Sequence, residues 1–363
     1  MKFTVVTDKV RRLRDRLAEK LVSTFVAHGH ELCDDSEADL QMVLNLTDAD
    51  QPRPYRRRSR AVYVVTFVAA DRLPDNAQRA VYTLLVRSLS NLAIYAIPRD
   101  GDADVHFTTL EAGFYHIPFD PEAVYQHILP LVTSRLVIQN VLACDLPEAY
   151  WQGTPTTEMM IHYGQELDRL GVLPAPFPIR KLLSERDLRH VYRLYGITGL
   201  SYGNLSAREP IPELGPTTFW MTARGVNKAK LSGVGHDLLL IRGYDPTQAS
   251  ILVSVPPCHN PRARASVDAI EHYLIYSALP QVGAIVHVHA WMEGVVCTQQ
   301  NYPCGTRELA EEVVSLLHRT PDPSQAAVGL KNHGLNITGH NLDDIFDRIR
   351  GKLLTQVPMM SRG

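Results

Sequence analysis

Two histidines, His287 and His289, lie two apart in the run Ile285-Val-His-Val-His-Ala290. In a strand, side chains two apart share a face. Both imidazoles then point one way, and Val286 and Val288 point the other. Such a pair could be a two-point clamp for a transition metal, although alone it reads first as a pair of core or surface histidines with satisfied hydrogen bonds. His333, in Lys331-Asn-His-Gly-Leu335, closes another apolar run beside a glycine turn. Three histidines from two strands match a catalytic zinc site, which takes three protein ligands and keeps one position open. Imidazole favours zinc, with manganese, cobalt and iron as alternatives.

Ser266-Val-Asp268 stands where a helix should begin, and Asp268, His272 and Tyr276 would share one helical face by i, i+4 spacing. Asp268 reads either as the N-cap of that helix or as a group that moves a proton beside the metal. Two glycine turns complete the set. Gly203 and Asn204, in Tyr202-Gly-Asn-Leu-Ser-Ala-Arg208, make a tight turn with backbone donors suited to an anion. In Met221-Thr-Ala-Arg-Gly225, Arg224 beside Gly225 adds a planar cationic fork for a phosphate or carboxylate. Each turn taken alone is an ordinary one.

The elements that must position these residues follow from periodicity. Helical spacing of apolar residues covers 8–28, 78–89 and 122–141 in the first part of the chain, with short Val-, Tyr- and Phe-rich strands at 40–46, 61–69, 91–97, 104–110 and 113–119. This part reads as an α/β or α+β domain. Composition changes between Cys144 and Leu183, where Gly153-Thr-Pro-Thr-Thr157 and Leu173-Pro-Ala-Pro-Phe-Pro178 flank a short helix. The expected division is therefore a domain at 1–150, a linker at 151–180 and a second domain at 181–363. In the latter, strands are expected at 218–222, 237–240, 251–255, 283–289 and 327–331, and helices at 185–195, 267–278, 306–317 and 342–354.

Composition narrows the class. The 363 residues are 45% hydrophobic and 21% charged, which excludes a disordered chain. Five cysteines, without CxxC or paired spacing, exclude a disulfide scaffold and fit a reducing compartment, hence a cytoplasmic protein. A net charge of −2 gives no global field for nucleic acid or an anionic membrane. Five arginines between Arg53 and Arg60 read as a solvated loop rather than a nucleic-acid contact. The uncharged stretch 272–292 is broken by Pro280 and reads as helix, turn and buried strand, not as a membrane span.

Taken in order, GNLSAR (203–208), TARG (222–225), Ser266-Val-Asp268, HVHA (287–290), GTREL (305–309) and NHG (332–334) resemble the class II aldolase/adducin family over about residues 185–355. The resemblance implies a class II aldolase-like α/β/α domain around a largely antiparallel sheet, preceded here by a separate smaller α/β domain. It also implies a homo-oligomer, a tetramer with sites between subunits, and a small-molecule substrate. His287, His289 and His333 match the family's metal ligands. Asp268, 19 residues before the first of them, matches its acid/base position, and Gly203, Asn204, Gly225 and Ser266 match positions that hold a substrate phosphate.

The implied activity is that of a metal-dependent lyase of aldolase type. It would act on a small phosphorylated or carboxylated sugar-like substrate through a metal-stabilised enediolate or enolate. The same family includes dehydratases, decarboxylases and epimerases, and adducins that bind or assemble without catalysis. This chain departs from the family pattern at several points. Arg224 replaces a Thr or Ser, and Val267 replaces a second Ser. Only 43 residues separate His289 from His333, so the segment that carries lid and acid residues is largely missing. The tail 355–363 has no tyrosine.

Overall fold

The structure is a computed structural model that describes residues 1–59, 62–99, 102–109, 114–173, 183–195 and 202–359. Arg60, the Gly101 and Gly113 turns and the Pro-rich segment 174–178 lie outside the described residues. The chain divides into two compact units. One holds 1–133, 178–195 and 359–363, and the other holds 134–177 and 196–358.

The first unit is a seven-stranded sheet with helices. Its elements are β1 (Lys2–Thr7), α1 (Arg12–Ala27), β2 (Glu31–Leu32), β3 (Met42–Leu46), β4 (Tyr63–Ala69), α2 (Ala77–Ser88), β5 (Leu92–Arg99), β6 (Asp102–Thr109), β7 (Phe114–Pro118), α3 (Pro121–Thr133) and α5 (Glu185–Tyr195). The strand order is β2-β1-β3-β4-β5-β6-β7, parallel as far as β5 and antiparallel from there. The sequence reading lacked β1. Its apolar run is short and unalternating, as parallel strands covered on both faces are, and Phe3 is fully buried among Leu17, Leu21 and Phe25 of α1. The arginine run lies between β3 and β4. Arg53 and Arg57 donate from it to the carbonyls of Thr7 and Leu89, at 3.2 and 2.8 Å. In α5, Asp187 accepts two bonds from Arg87 of α2, at 3.1 and 3.0 Å.

Helix α3 stops at Thr133, eight residues short of the expected 122–141. The segment beyond it, rich in β-branched residues, becomes β8 (Gln139–Ala143), an edge strand of the second sheet.

The second unit has a nine-stranded sheet, ordered β14-β15-β16-β13-β9-β10-β11-β12-β8. Its other elements are α4 (Pro155–Arg169), β9 (Asn204–Arg208), β10 (Phe219–Thr222), β11 (Leu238–Asp245), β12 (Ser250–Ser254), α6 (Ala269–Ala278), β13 (Ala284–Val288), β14 (Val296–Cys297), α7 (Arg307–Leu317), β15 (Ala327–Leu330), β16 (Gly334–Gly339) and α8 (Leu342–Ile349). All pairings are antiparallel except those at the two edges, β14 with β15 and β12 with β8.

Alternation along the strands divides the core in two. Phe219, Met221, Ile285 and their neighbours pack with Ile270 and Ile275 of α6 and with Leu309 and Val313 of α7. Trp220, Val286, Val288, Leu335 and Ile337 pack on the other face, with Met160 and Leu167 of α4 and Phe346 of α8. The layers are helix, sheet, helix, as the resemblance implied. No helix among the described residues is long and apolar enough to cross a membrane. The uncharged stretch 272–292 is α6, a turn and β13.

Glycine is required where the turn before β9 meets β13. Gly203 has φ +73°, and a Cβ there would lie 2.3 Å from the carbonyl oxygen of His287. Gly294 has nearly the same φ, +75°, but open space around it. Gly294→Ala should cost about 1 kcal/mol for backbone strain alone. Gly203→Ala should cost about 2 kcal/mol or more beyond that, because backbone must move. Thermal unfolding of the two variants side by side measures the difference.

Candidate metal centre

Register builds the site. β9 runs antiparallel to β13, with Asn204 opposite His287 and Ser206 opposite Ile285. β16 flanks β13 on its other side, with Asn336 opposite His287. His289 lies just past the end of β13. His333 sits in the turn between β15 and β16, where Asn332 takes a left-handed φ of +59°, a conformation asparagine tolerates better than most residues. Gly334 lets this turn close on β13, since a Cβ there would be 2.2 Å from the Val288 carbonyl oxygen.

These elements bring His287, His289 and His333 together, all buried, with one ring nitrogen from each lying within 4.8 Å of the others. His287 Nδ1 is 3.0 Å from the carbonyl oxygen of Leu335. A carbonyl only accepts, so Nδ1 carries the proton and Nε2 presents a lone pair. That Nε2 is buried and has no hydrogen-bond partner among the described residues, and the same holds for His289 Nδ1. His289 and His333 face each other through their Nε2 atoms at 2.9 Å. Burial pushes all three imidazoles below the ordinary histidine pKa, His333 to about 3. They are therefore neutral, the form that ligates metals. Three converging, neutral, buried imidazoles, with His287 Nε2 unpartnered among the described residues, fit a divalent cation. The donor set suits zinc by ligand type.

Asp268 occupies the N-cap position of α6 but makes no capping bond. Its Oδ2 instead accepts from Asn204 Nδ2 at 2.6 Å and from Ser266 Oγ at 3.3 Å, and Asn204 also donates to Ser266 Oγ at 3.1 Å. Burial raises the Asp268 carboxyl, but the imidazoles of His287, His333 and His272 and the Asn204 amide outweigh it and hold the group below its usual range. It is an anion at neutral pH. One turn along α6, His272 Nδ1 bonds Ser206 Oγ at 2.7 Å, and one turn further Tyr276 bonds the same hydroxyl at 2.8 Å. The face predicted from i, i+4 spacing is thus docked on β9. The turn carrying Arg224 and Gly225 is tied to the segment leading into Ser266 by a bond from Arg224 N to Arg264 O at 2.7 Å. Both residues are exposed, and Arg224 takes no part in the bonds among Asn204, Ser266 and Asp268.

Three residues at the site escaped the sequence reading. Lys228, in a polar turn that reads as solvated, is buried because Gly164 of α4 packs onto its carbonyl; a Cβ at 164 would sit 2.2 Å from that oxygen. Burial lowers the Lys228 amine to about 8, against the pull of Asp268. Glu271 is buried, with neither carboxyl oxygen partnered among the described residues. Burial, then Asp268, pushes it well above the ordinary range, so it is a neutral acid. Cys304 lies against the ring of His333. A lone lysine, glutamate or cysteine at these positions carries no periodic signal.

The depressed imidazoles tie stability to pH. His272 and His333 are both held at about 3, against 6.5 when unfolded. Their neutral forms stabilise the fold fully above pH 6.5, and that contribution is lost as pH falls towards 3 and the unfolded chain takes up the protons. Metal-free protein should lose about 2 kcal/mol per histidine at pH 5 relative to neutral pH. His272→Gln should remove its share of the slope in thermal unfolding between pH 8 and pH 5.

Residues 187–300 match the family model described as the Class II Aldolase and Adducin N-terminal domain. Asp268, His287 and His289 fall inside the match, and Cys304 and His333 fall beyond it. Similar solved structures include L-fuculose 1-phosphate aldolase, at 16% identity over 55% of this chain and 81% of that one, with a TM-score of 0.36. YgbL from Escherichia coli is 16% identical over 53% and 82%, with a TM-score of 0.34. An aldolase II superfamily protein from Pseudomonas syringae is 19% identical over 44% and 66%, with a TM-score of 0.30. A search of curated proteins gives no match. The chain therefore carries a domain of the class II aldolase and adducin family, over residues 187–300.

Proposed function

We propose that the chain is a metal-dependent lyase of aldolase type, acting on a small phosphorylated or carboxylated sugar-like substrate. The observation that carries this reading is the convergence of three buried neutral imidazoles, two with unpartnered nitrogens, next to a buried anionic carboxylate. His287, His289 and His333 would hold a divalent cation, zinc by ligand type. When bound, such a cation supplies Lewis-acid polarisation of a carbonyl oxygen.

Asp268 would move the proton. The hydrogen bonds from the Asn204 and Ser266 side chains both end on Oδ2, so Oδ1 would be the atom that takes the proton. Because the neighbouring imidazoles and the Asn204 amide hold the carboxylate as an anion, Asp268 starts as the base. Glu271, a neutral acid one turn along α6, keeps a second proton nearby. Lys228, lowered to about 8, adds positive potential beside the carboxylate and disfavours its premature protonation. Gly203, Gly225 and Arg224 would receive the anionic group of the substrate.

Arg224 supports a second reading with the same residues, namely dehydration, decarboxylation or epimerisation of a small acid. A guanidinium fork pairs with a carboxylate as well as with a phosphate.

Purified protein should contain about one transition metal per chain, and the His287→Ala/His289→Ala double variant should lose it, as elemental analysis would measure. Asp268→Asn should keep the metal and lower kcat by at least about a hundredfold. An unchanged rate would remove Asp268 from the reaction. Arg224→Ser, assayed against matched phosphorylated and carboxylated substrates, should raise KM about tenfold for the class that Arg224 binds, which separates the two readings.

A further inference from the structure

We infer that Cys304 is a fourth, sulfur ligand to the cation held by His287, His289 and His333; the inference rests on the metal-dependent reading above. Cys304 Sγ lies 3.2 Å from Nδ1 and 3.4 Å from Nε2 of His333. A thiolate and an imidazole sharing a tetrahedral zinc stand about 3.6 Å apart, given Zn–S near 2.3 Å and Zn–N near 2.0–2.1 Å. Against His333 the sulfur has to retreat by only a few tenths of an ångström; it lies outside the 4.8 Å cluster that the three histidines form, so on binding it also has to draw towards His287 and His289. The thiol does not stand alone. It touches His333 of the three-histidine cluster, in which His287 Nε2 is buried and without a partner among the described residues.

The loop holding the thiol is anchored. Thr306 caps α7 by accepting from Leu309 N, and its hydroxyl donates to the carbonyl of Pro303 at 2.8 Å. Gly305 has φ +74°, and a Cβ there would meet Val267 O at 2.8 Å and Ile138 Cγ2 at 2.9 Å. Cys304 is thereby fixed between a helix cap and the segment that leads into Asp268.

The chemistry is consistent with this placement. On binding, the S–H bond breaks, a sulfur–metal bond forms and the proton leaves to solvent. A thiolate added to three neutral imidazoles reduces the net charge of a divalent site from +2 to +1. It also closes a tetrahedral site until the sulfur moves or the coordination expands to five. Cys304 is half-exposed, unlike the three histidines, so it is the ligand best able to yield to an incoming oxygen.

Cobalt(II) titrated into the metal-free full chain tests this by absorption. Wild type should take up one equivalent, with the visible bands of a four-coordinate site and a near-ultraviolet thiolate-to-cobalt charge-transfer band. Cys304→Ser should keep the visible bands and lose the near-ultraviolet one. It should also bind zinc at least about tenfold more weakly, the lower end of what losing even an outer-shell partner costs. Visible bands without the charge-transfer band in wild type, or a band that survives in Cys304→Ser, would overturn the assignment of Cys304 and leave the three-histidine reading standing. Folded wild type that takes up neither cobalt nor zinc would overturn both. If Cys304→Ser does not fold, alkylation of wild type decides. Zinc should protect Cys304 from iodoacetamide, read by peptide mass, while the exposed Cys144 and Cys258 still react. Equal labelling of Cys304 with and without zinc would overturn the inference.

Discussion

The site depends on how β9 and α6 are hydrogen-bonded together. Alternate residues of β9 share one face, and Asn204, Ser206 and Arg208 are three such residues. Each engages α6. Asn204 donates to Asp268, Ser206 bonds both His272 and Tyr276, and Arg208 donates to the Tyr276 carbonyl with its guanidinium 4.7 Å from that ring. Two residues along a strand advance about 6.7 Å and four along a helix about 6 Å, so the two repeats stay in step over three contacts. The face of β9 that grips α6 therefore sets where Asp268 stands. The pairing of β9 with β13 sets His287 directly across from Asn204. Carboxylate and imidazole are placed by one strand acting in two directions.

Burial then decides what each group does. In water, histidine titrates near neutrality and an aspartate and a glutamate behave alike. Here desolvation removes the charge from His272, His287, His289 and His333. It also separates the two acids of α6. Asp268, beside the imidazoles of His287, His333 and His272 and accepting from Asn204, stays ionised, whereas Glu271 has no partner among the described residues and stays protonated. Two carboxyls three residues apart thus hold different protonation states, because Asp268 stands against those imidazoles and an amide donor, whereas Glu271 feels the charge of Asp268. Each unsatisfied polar atom in such a place costs stability. The concentration of them here, including both amide atoms of Asn336, marks a region arranged for binding more than for folding.

The first unit obeys the opposite economy. Arg14 of α1 is nearly fully buried, but its guanidinium bonds Asp15, Thr7 and the Thr47 carbonyl, so the charge is matched within the unit. Its parallel strands carry continuous apolar-rich runs; that of β1 is only Phe-Thr-Val-Val, too short to be legible as a strand, whereas the longer runs of β4 and β5 were. The end of α3 was misread for a related reason. Helical periodicity in 122–141 fades gradually, and only pairing with β12 turns 139–143 into a strand.

By itself the sequence determined the local geometry of the site. The alternation of Ile285-Val-His-Val-His289 specified which face each side chain takes. The i, i+4 spacing placed Asp268, His272 and Tyr276 on one helical face, and glycines marked where chain segments approach. These are properties of neighbours along the chain, written in periods of two and 3.6. The tertiary structure alone decided what depends on distant partners. The tautomer of His287 comes from a carbonyl 48 residues away, at Leu335. The identity of Asp268 as an unbonded cap comes from Asn204, 64 residues earlier. The presence of Lys228, Glu271 and Cys304 at the centre comes from packing that no period encodes. Dielectric and donor count are set by everything that surrounds a group in space, so they exist only once the chain has closed around it.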